Sequence, residues 1–399
     1  MGNKIAGHKF VPYGRQWIEE DDIQAVVEVL RGNYLTTGPK IEEFESKLAE
    51  AVGAKYAVAV SSGTAALHAA CFAAGINRGD EVITSPMTFA ATANCVLYMG
   101  ARPVFADIDP QTYNIDPSDI RKKITPKTKA IIPVHFTGQP CAVDEIMDIA
   151  RQYNLAVIED GAHALGAEYN GRRIGAIGDM TTFSFHPVKH ITTGEGGAVT
   201  TNSRELYERL LMFRSHGITR EAAKLTDSHG PWYYEQQFLG YNYRMTDIQA
   251  ALGVSQLDKL DRFLRKRREY ADRYNRAFEG FDGVVPHYQP PNSISAWHLY
   301  VIRLELEKLR ASRKQIFEEL LARNIGVNVH YIPVYYHPYY RKMGYGKGLC
   351  PNAETFYERA ITLPLYPKME VEDIDYVIKN VKAVVGKYRV STIKPGTDG

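Results

Sequence analysis

Between residues 55 and 160, short apolar runs alternate with helical stretches, and this alternation leaves the chain few folds to choose from. "KYAVAV" (55–60), "EVIT" (81–84), "RPVFAD" (102–107), "KAIIPV" (129–134) and "LAVIED" (155–160) read as buried strands. "TAALHAACFAAG" (64–75), "FAATANCVLYMG" (89–100) and a stretch near 143–153 read as the helices between them. Strands that alternate with helices build a parallel sheet with crossover connections. Two amphipathic helices precede it, over 18–31 and 41–52; in the second, Ile41, Phe44, Leu48 and Val52 recur at helical spacing and Gly53 ends it. "YNGRR" (169–173) carries an Asn-Gly hairpin signal. A charged helical pattern runs from about 246 to 279, and after "FDGVVPHYQPPNS" (281–293) the texture changes. "WHLYVIRLE" (297–305) reads as a strand, with helices near 310–323, 352–360 and 370–387. The expected architecture is a large α/β domain over 1–280 and a smaller α+β domain over 281–399.

At 399 residues the chain is too long for one ordinary core. Its 45% apolar and 24% charged content is that of a globular protein. A net charge of +2, with both signs interspersed, gives no electrostatic reason for nucleic acid or an anionic membrane as partner. No apolar run approaches the ~18 residues of a membrane span. The opening "MGNKIAGHKF" lacks an apolar signal core and has Ala6 where a myristoylation signal needs Ser or Thr. Cys71, Cys95, Cys141 and Cys350 show no CxxC spacing, so neither a zinc site nor a disulfide framework is indicated. A cytoplasmic protein is expected, with a frayed tail "STIKPGTDG".

In sheets of this kind ligands collect at the carboxyl ends of the strands, and three such ends are unusual. "VSSGTAAL" (60–67) runs from a strand through Ser-Ser-Gly-Thr into a helix; it is either an ordinary N-cap or an anion site suited to phosphate. "VIEDGAHALG" (157–166) ends an apolar strand on Asp160, and a carboxylate there needs a cation or several donors. "FSFHPVKHITTGEGG" (183–197) places Ser184, His186 and Lys189 before a glycine-rich loop. Lys189 is either a solvated turn charge or an amine kept partly desolvated for covalent chemistry.

Together the three ends match what pyridoxal phosphate needs. Its aldehyde is held by a lysine, its pyridinium nitrogen needs a carboxylate, and its phosphate suits a helix N-terminus. Phe89, in "SPMTFAATAN", offers a ring to stack on it or belongs to the core.

With these residues in place the chain resembles the DegT/DnrJ-type sugar-nucleotide aminotransferases, of the fold-type-I class of pyridoxal-phosphate enzymes. The resemblance covers most of the chain, from "YLTTGPKIEEFE" (34–45) to "ITLPLYP" (361–367), and includes "GYNYRMTDIQAALG" (240–253). It implies Lys189 as Schiff-base lysine and proton shuttle, and Asp160 as pyridinium partner. Gly63, Thr64 and Ser184 fall at the cofactor phosphate, His163 beside its phenolic oxygen, and Phe89 on its ring. Asn242 matches an asparagine that reaches the phosphate from the neighbouring subunit, which implies a homodimer with shared sites. Arg244 is implied to meet the carboxylate of the glutamate donor, and Thr36 lies in a matching segment as a substrate contact. His330, Tyr331 and Tyr335 are the aromatic and polar residues offered to a UDP-sugar. Some relatives carry histidine in place of the lysine and are dehydratases; the spacing from Ser184 and His186 puts Lys189, and not His190, at the reactive position.

Within the family, "FRSHGITR" (213–220), "NYRMTDIQAALGVSQLDKL" (242–260) and "NVHYIPVYYHPYY" (328–340) are similar to the transaminases of pseudaminic acid biosynthesis. This implies transfer of an amino group from glutamate to C4 of a UDP-4-keto-6-deoxy-N-acetylhexosamine. The competing readings are another nucleotide keto-sugar as acceptor, sulfur removal from cysteine through a mobile thiolate for which Cys350 is the candidate, and a non-catalytic relative that only binds a nucleotide-sugar.

Overall fold

A computed structural model describes residues 9–390. The opening segment with Ala6 and the tail "STIKPGTDG" lie outside the described residues. The central sheet has seven strands: β1 (Tyr56–Val60), β2 (Glu81–Thr84), β3 (Arg102–Phe105), β4 (Thr128–Ile132), β5 (Ala156–Asp160), β6 (Met180–Ser184) and β7 (Gly197–Thr201). Their spatial order is β1-β7-β6-β5-β4-β2-β3. From β6 to β3 every neighbouring pair is parallel, while β7 runs antiparallel to both β1 and β6. The expected fold-type-I architecture, a mostly parallel sheet between helices, is what the chain adopts.

The strands are apolar on both faces because both faces are covered. In β1, Ala57 and Ala59 enter one core and Val58 and Val60 the other. β5 splits likewise: Val157 belongs to the first core and Ile158 to the second. Period-2 alternation therefore turns Glu159 and Asp160 to opposite faces. Glu159 is fully buried, beside His135 Nε2 at 2.9 Å, and accepts from the Gly178 N–H at 2.7 Å and the Thr181 hydroxyl at 2.9 Å. It is a satisfied structural carboxylate. Asp160 is left for the other face.

The Asn-Gly hairpin forms at the expected place, between two-residue strands Glu168–Tyr169 and Arg172–Arg173. Asn170 and Gly171 have φ of 49° and 73°, as a primed turn requires. The pattern expected as one helix over 246–279 is two, Asp247–Leu257 and Leu260–Phe278. A second sheet, β8 (Val284–Val285), β9 (Tyr300–Leu304) and β10 (Ala360–Leu363), is antiparallel with β9 in the centre. Its core also takes Val11, Tyr270, Tyr274 and Phe278, so it is not drawn from residues after 281 alone. Among the described residues no helix is long and apolar enough to cross a membrane.

Candidate active site

The carboxyl ends of β1, β5 and β6 meet at a cavity of about 570 Å³. At the first, Ser62 adopts extended backbone and its hydroxyl accepts the Ala65 N–H, capping helix Gly63–Ala73. The capping role the motif allowed thus falls to Ser62, while Gly63 and Thr64 line the cavity. The first N–H groups of a helix have no intrahelical acceptor and carry its positive end. Gly63 is required by close approach: a Cβ there would lie 2.8 Å from the Cβ of Ser184. The end of β6 and the start of the helix are thereby held side by side.

Asp160 is buried at the end of β5. Its Oδ2 accepts the Thr92 hydroxyl at 2.7 Å and its Oδ1 accepts the Ala162 N–H at 3.1 Å. Thr88 Oγ1 lies 2.6 Å from Thr92 Oγ1, extending the chain of hydroxyls behind the carboxylate. A carboxylate has about four lone-pair sites, and two donors leave capacity toward the cavity that Asp160 lines.

Lys189 is half-buried in the same cavity. Burial lowers its pKa to about 8; the Asp160 charge opposes that shift and the Arg267 charge adds to it. His163 is buried, with Nε2 3.0 Å from the Tyr331 hydroxyl and its ring centroid 4.3 Å from that of His298. Burial, followed by the charges of Lys189, His330 and His190, holds its pKa well below the usual range, so the ring is neutral. Its Nδ1 is buried without a partner among the described residues. His330 Nδ1 lies 2.9 Å from the Thr362 hydroxyl, and burial lowers its pKa to about 3.

The structure brings together Gly63, Thr64, Phe89, Asp160, His163, Ser184, Lys189, His330 and Tyr331. Phe89 precedes its helix, which begins at Ala91, and is 64% exposed, so it is not a core residue. Four expected residues are elsewhere. Tyr335 is fully buried, donates its hydroxyl to Glu354 at 2.8 Å and packs on Phe105; it is a core residue and faces no substrate in this cavity. Thr36 is exposed and bridges to Thr246. Asn242 is exposed and bridges to Ser215. Arg244 pairs through its backbone with Val60 and lines a second cavity of about 710 Å³ with Thr37 and Arg214. Among the described residues no arginine lines the Lys189 cavity. Sequence reasoning missed Thr92, Tyr13, Asn328 and His298, all of which line it. Thr92 is the second residue of its helix and carries no signal of its own; Tyr13 lies in a stretch without periodicity.

One amine near neutrality, one buried carboxylate with spare lone pairs and one helix N-terminus in a single cavity fit pyridoxal phosphate. All four cysteines are buried and free, and burial pushes the Cys350 thiol far above its ordinary pKa. Cys350, the candidate, is therefore a buried thiol and not a mobile thiolate, which argues against the sulfur-transfer reading.

Residues 16–382 match the DegT/DnrJ/EryC1/StrS aminotransferases. The chain belongs to this family. It is a pyridoxal-phosphate-dependent sugar aminotransferase. Among curated relatives, an uncharacterized protein of Methanocaldococcus jannaschii is 48% identical over 381 residues, covering 95% of this chain and 99% of its own. The spore coat polysaccharide biosynthesis protein SpsC of Bacillus subtilis is 46% identical, with 94% and 97% covered. Among solved structures, Helicobacter pylori PseC, an aminotransferase involved in the biosynthesis of pseudoaminic acid, superposes with a TM-score of 0.89 at 34% identity, covering 95% of this chain and 100% of that one. Spr1654 of Streptococcus pneumoniae in its PLP-form gives a TM-score of 0.88 at 34% identity, covering 95% and 99%.

Proposed function

We propose that this aminotransferase moves an amino group from glutamate to C4 of UDP-2-acetamido-2,6-dideoxy-β-L-arabino-hexos-4-ulose, giving UDP-4-amino-4,6-dideoxy-N-acetyl-β-L-altrosamine. The observation that carries the chemistry is the half-buried Lys189 amine, lowered toward neutrality and sharing a cavity with buried Asp160. When bound, pyridoxal phosphate supplies an electron sink for the substrate's carbon–nitrogen chemistry. Lys189 would hold the cofactor and would move a proton at its Nζ in both halves of the reaction. Asp160, which accepts from the Thr92 hydroxyl and the Ala162 N–H, would be the carboxylate partner of the ring nitrogen. Gly63, Thr64 and Ser184 would bind the phosphate. His163, a neutral imidazole whose Nε2 meets the Tyr331 hydroxyl, would serve the phenolic oxygen. Phe89 would stack on the ring.

Among the described residues the cavity has no arginine for a donor carboxylate, while Asn242 and Arg244 lie outside it. Both facts support a homodimer in which the neighbouring subunit completes each site. Mixing inactive Lys189→Ala and Asn242→Ala proteins is the test: exchange of subunits is expected to restore activity, because one site of each hybrid has neither change. No recovery after verified subunit exchange would sink the shared site.

The acceptor named here follows the pseudaminic-acid transaminase similarity. A second acceptor class, another nucleotide keto-sugar, is favoured by the higher identity to SpsC, 46% against 34% for PseC. The deciding experiment converts the enzyme with glutamate and then offers UDP- and dTDP-keto-sugars one at a time, with product NMR. Discharge by the UDP-4-keto-hexosamine with the altro product supports the first reading; discharge only by another keto-sugar replaces it. We place the reaction in the cytoplasm, feeding a surface polysaccharide.

A further inference from the structure

Residues 9–17 form an irregular strap from one core to the other. At its start Val11 is fully buried against the second core; its N–H donates to the Asn324 carbonyl at 2.9 Å and its carbonyl accepts from the Gly326 N–H at 2.7 Å. At its end Trp17 stacks on Phe263 with centroids 5.4 Å apart, and its carbonyl accepts from Gln256 Nε2 at 3.0 Å. In between, the Tyr13 carbonyl accepts the Leu365 N–H at 3.1 Å, which fixes the backbone at the one strap residue that lines the Lys189 cavity. The Tyr13 ring lies 5.4 Å from that of His330, tilted by 52°. A segment held at three points, with no regular structure of its own, delivers a phenol to the cavity.

The chemistry of that wall separates the two substrates. Tyr13, His330 and Tyr331 are all uncharged: burial raises both phenols and lowers the imidazole. Glutamate and 2-oxoglutarate carry two carboxylates, which an uncharged aromatic wall does not neutralise. A hexose ring has no charge, an apolar C–H face for an aromatic ring and hydroxyls for a phenol. We propose that Tyr13 is a specificity residue for the acceptor, packing its ring on the uncharged sugar and leaving the amino-acid donor untouched. This rests on the nucleotide-sugar reading above.

The test uses the full-length holoenzyme, with Tyr13→Ala and Tyr13→Phe, and calorimetric binding of UDP-N-acetylglucosamine, UDP and 2-oxoglutarate. Tyr13→Ala is expected to weaken UDP-N-acetylglucosamine by roughly tenfold, the scale of a lost aromatic contact, with UDP and 2-oxoglutarate within about twofold. Tyr13→Phe is expected to bind nearly as the wild type, because the ring does the packing. In the half-reactions, Tyr13→Ala is expected to slow discharge by the keto-sugar and to leave loading by glutamate unchanged. Equal weakening of all ligands, no weakening of the sugar, or a Tyr13→Phe as weak as Tyr13→Ala would overturn the inference. A wild-type enzyme that loads with glutamate but binds neither UDP-N-acetylglucosamine nor UDP would instead remove the nucleotide-sugar reading, and the role of Tyr13 with it.

Discussion

Two lysines in two cavities move in opposite directions. Lys189, at the strand ends, is lowered to about 8 by burial. Lys224, in the cavity beside residues 214–224, is raised by hydrogen bonds to Glu221 and Glu208, at 2.6 and 2.9 Å. Both are surrounded by polar groups, yet Lys189 is desolvated with Asp160 acting on it only as a charge in the same cavity, while Lys224, partly exposed, is ion-paired to two carboxylates. The first arrangement yields a free amine near neutral pH; the second yields a permanent cation. Reactivity here comes from what the fold withholds from Lys189.

The sharpest way to break the contrast is to delete each amine. Lys189→Ala is expected to lower turnover by about three orders of magnitude or more, since it removes both the cofactor attachment and the proton carrier; steady-state assay with glutamate checks it, and substantial residual transamination would end the assignment. Asp160→Asn keeps one acceptor oxygen in place of the two that serve Thr92 and Ala162, and loses the charge. A fall of roughly a hundredfold in turnover is expected, with the fold retained by circular dichroism. Titration of the amine sharpens the comparison. With a pKa of about 8, Lys189 is about one-tenth neutral at pH 7 and nine-tenths at pH 9. Cofactor capture by the apo-protein is therefore expected to rise roughly tenfold over that interval and then level, read by stopped-flow absorbance. A rate that keeps climbing to about pH 10 would mark an ordinary lysine. The linked stability has a definite sign: the burial penalty is full below about pH 8 and is relieved as pH rises from there toward the unfolded value near 10.4. The smallest effect is at Lys224, where Lys224→Gln is expected to leave kcat/KM within about twofold, because exposed ion pairs contribute little.

The features legible in the sequence are those in which local chemistry and tertiary role agree. β1 to β5 are apolar runs bounded by turn residues, and each appears within a residue or two of its expected place. Asp160 and Lys189 stood out because a carboxylate and an amine at strand ends are costly without a purpose. β7 was not legible: "GAVTT" is short, and only its insertion between β1 and β6 makes it a strand. The break between the helices Asp247–Leu257 and Leu260–Phe278 has no glycine or proline to announce it. It falls at Lys259, whose amine lies 2.6 Å from Asp21 and 2.7 Å from Asp22, residues more than two hundred positions away. Tyr335 misled for the converse reason, since a phenol with a buried carboxylate partner reads in sequence like one that faces a ligand.

Helix Leu260–Phe278 begins in one core with Phe263 and Leu264 and ends in the other with Tyr270, Tyr274 and Phe278. Between them Arg267, fully buried, donates from Nη1 to the carbonyls of Trp297, His298 and Leu365. Cutting the gene where the second sheet begins would therefore leave one fragment with the buried face of the helix's second half uncovered and the other with a core missing its wall. Neither piece is expected to stand alone, and recombining them would require the helix to thread back into place, so circular permutation at an exposed loop is the better route for anyone rebuilding this enzyme.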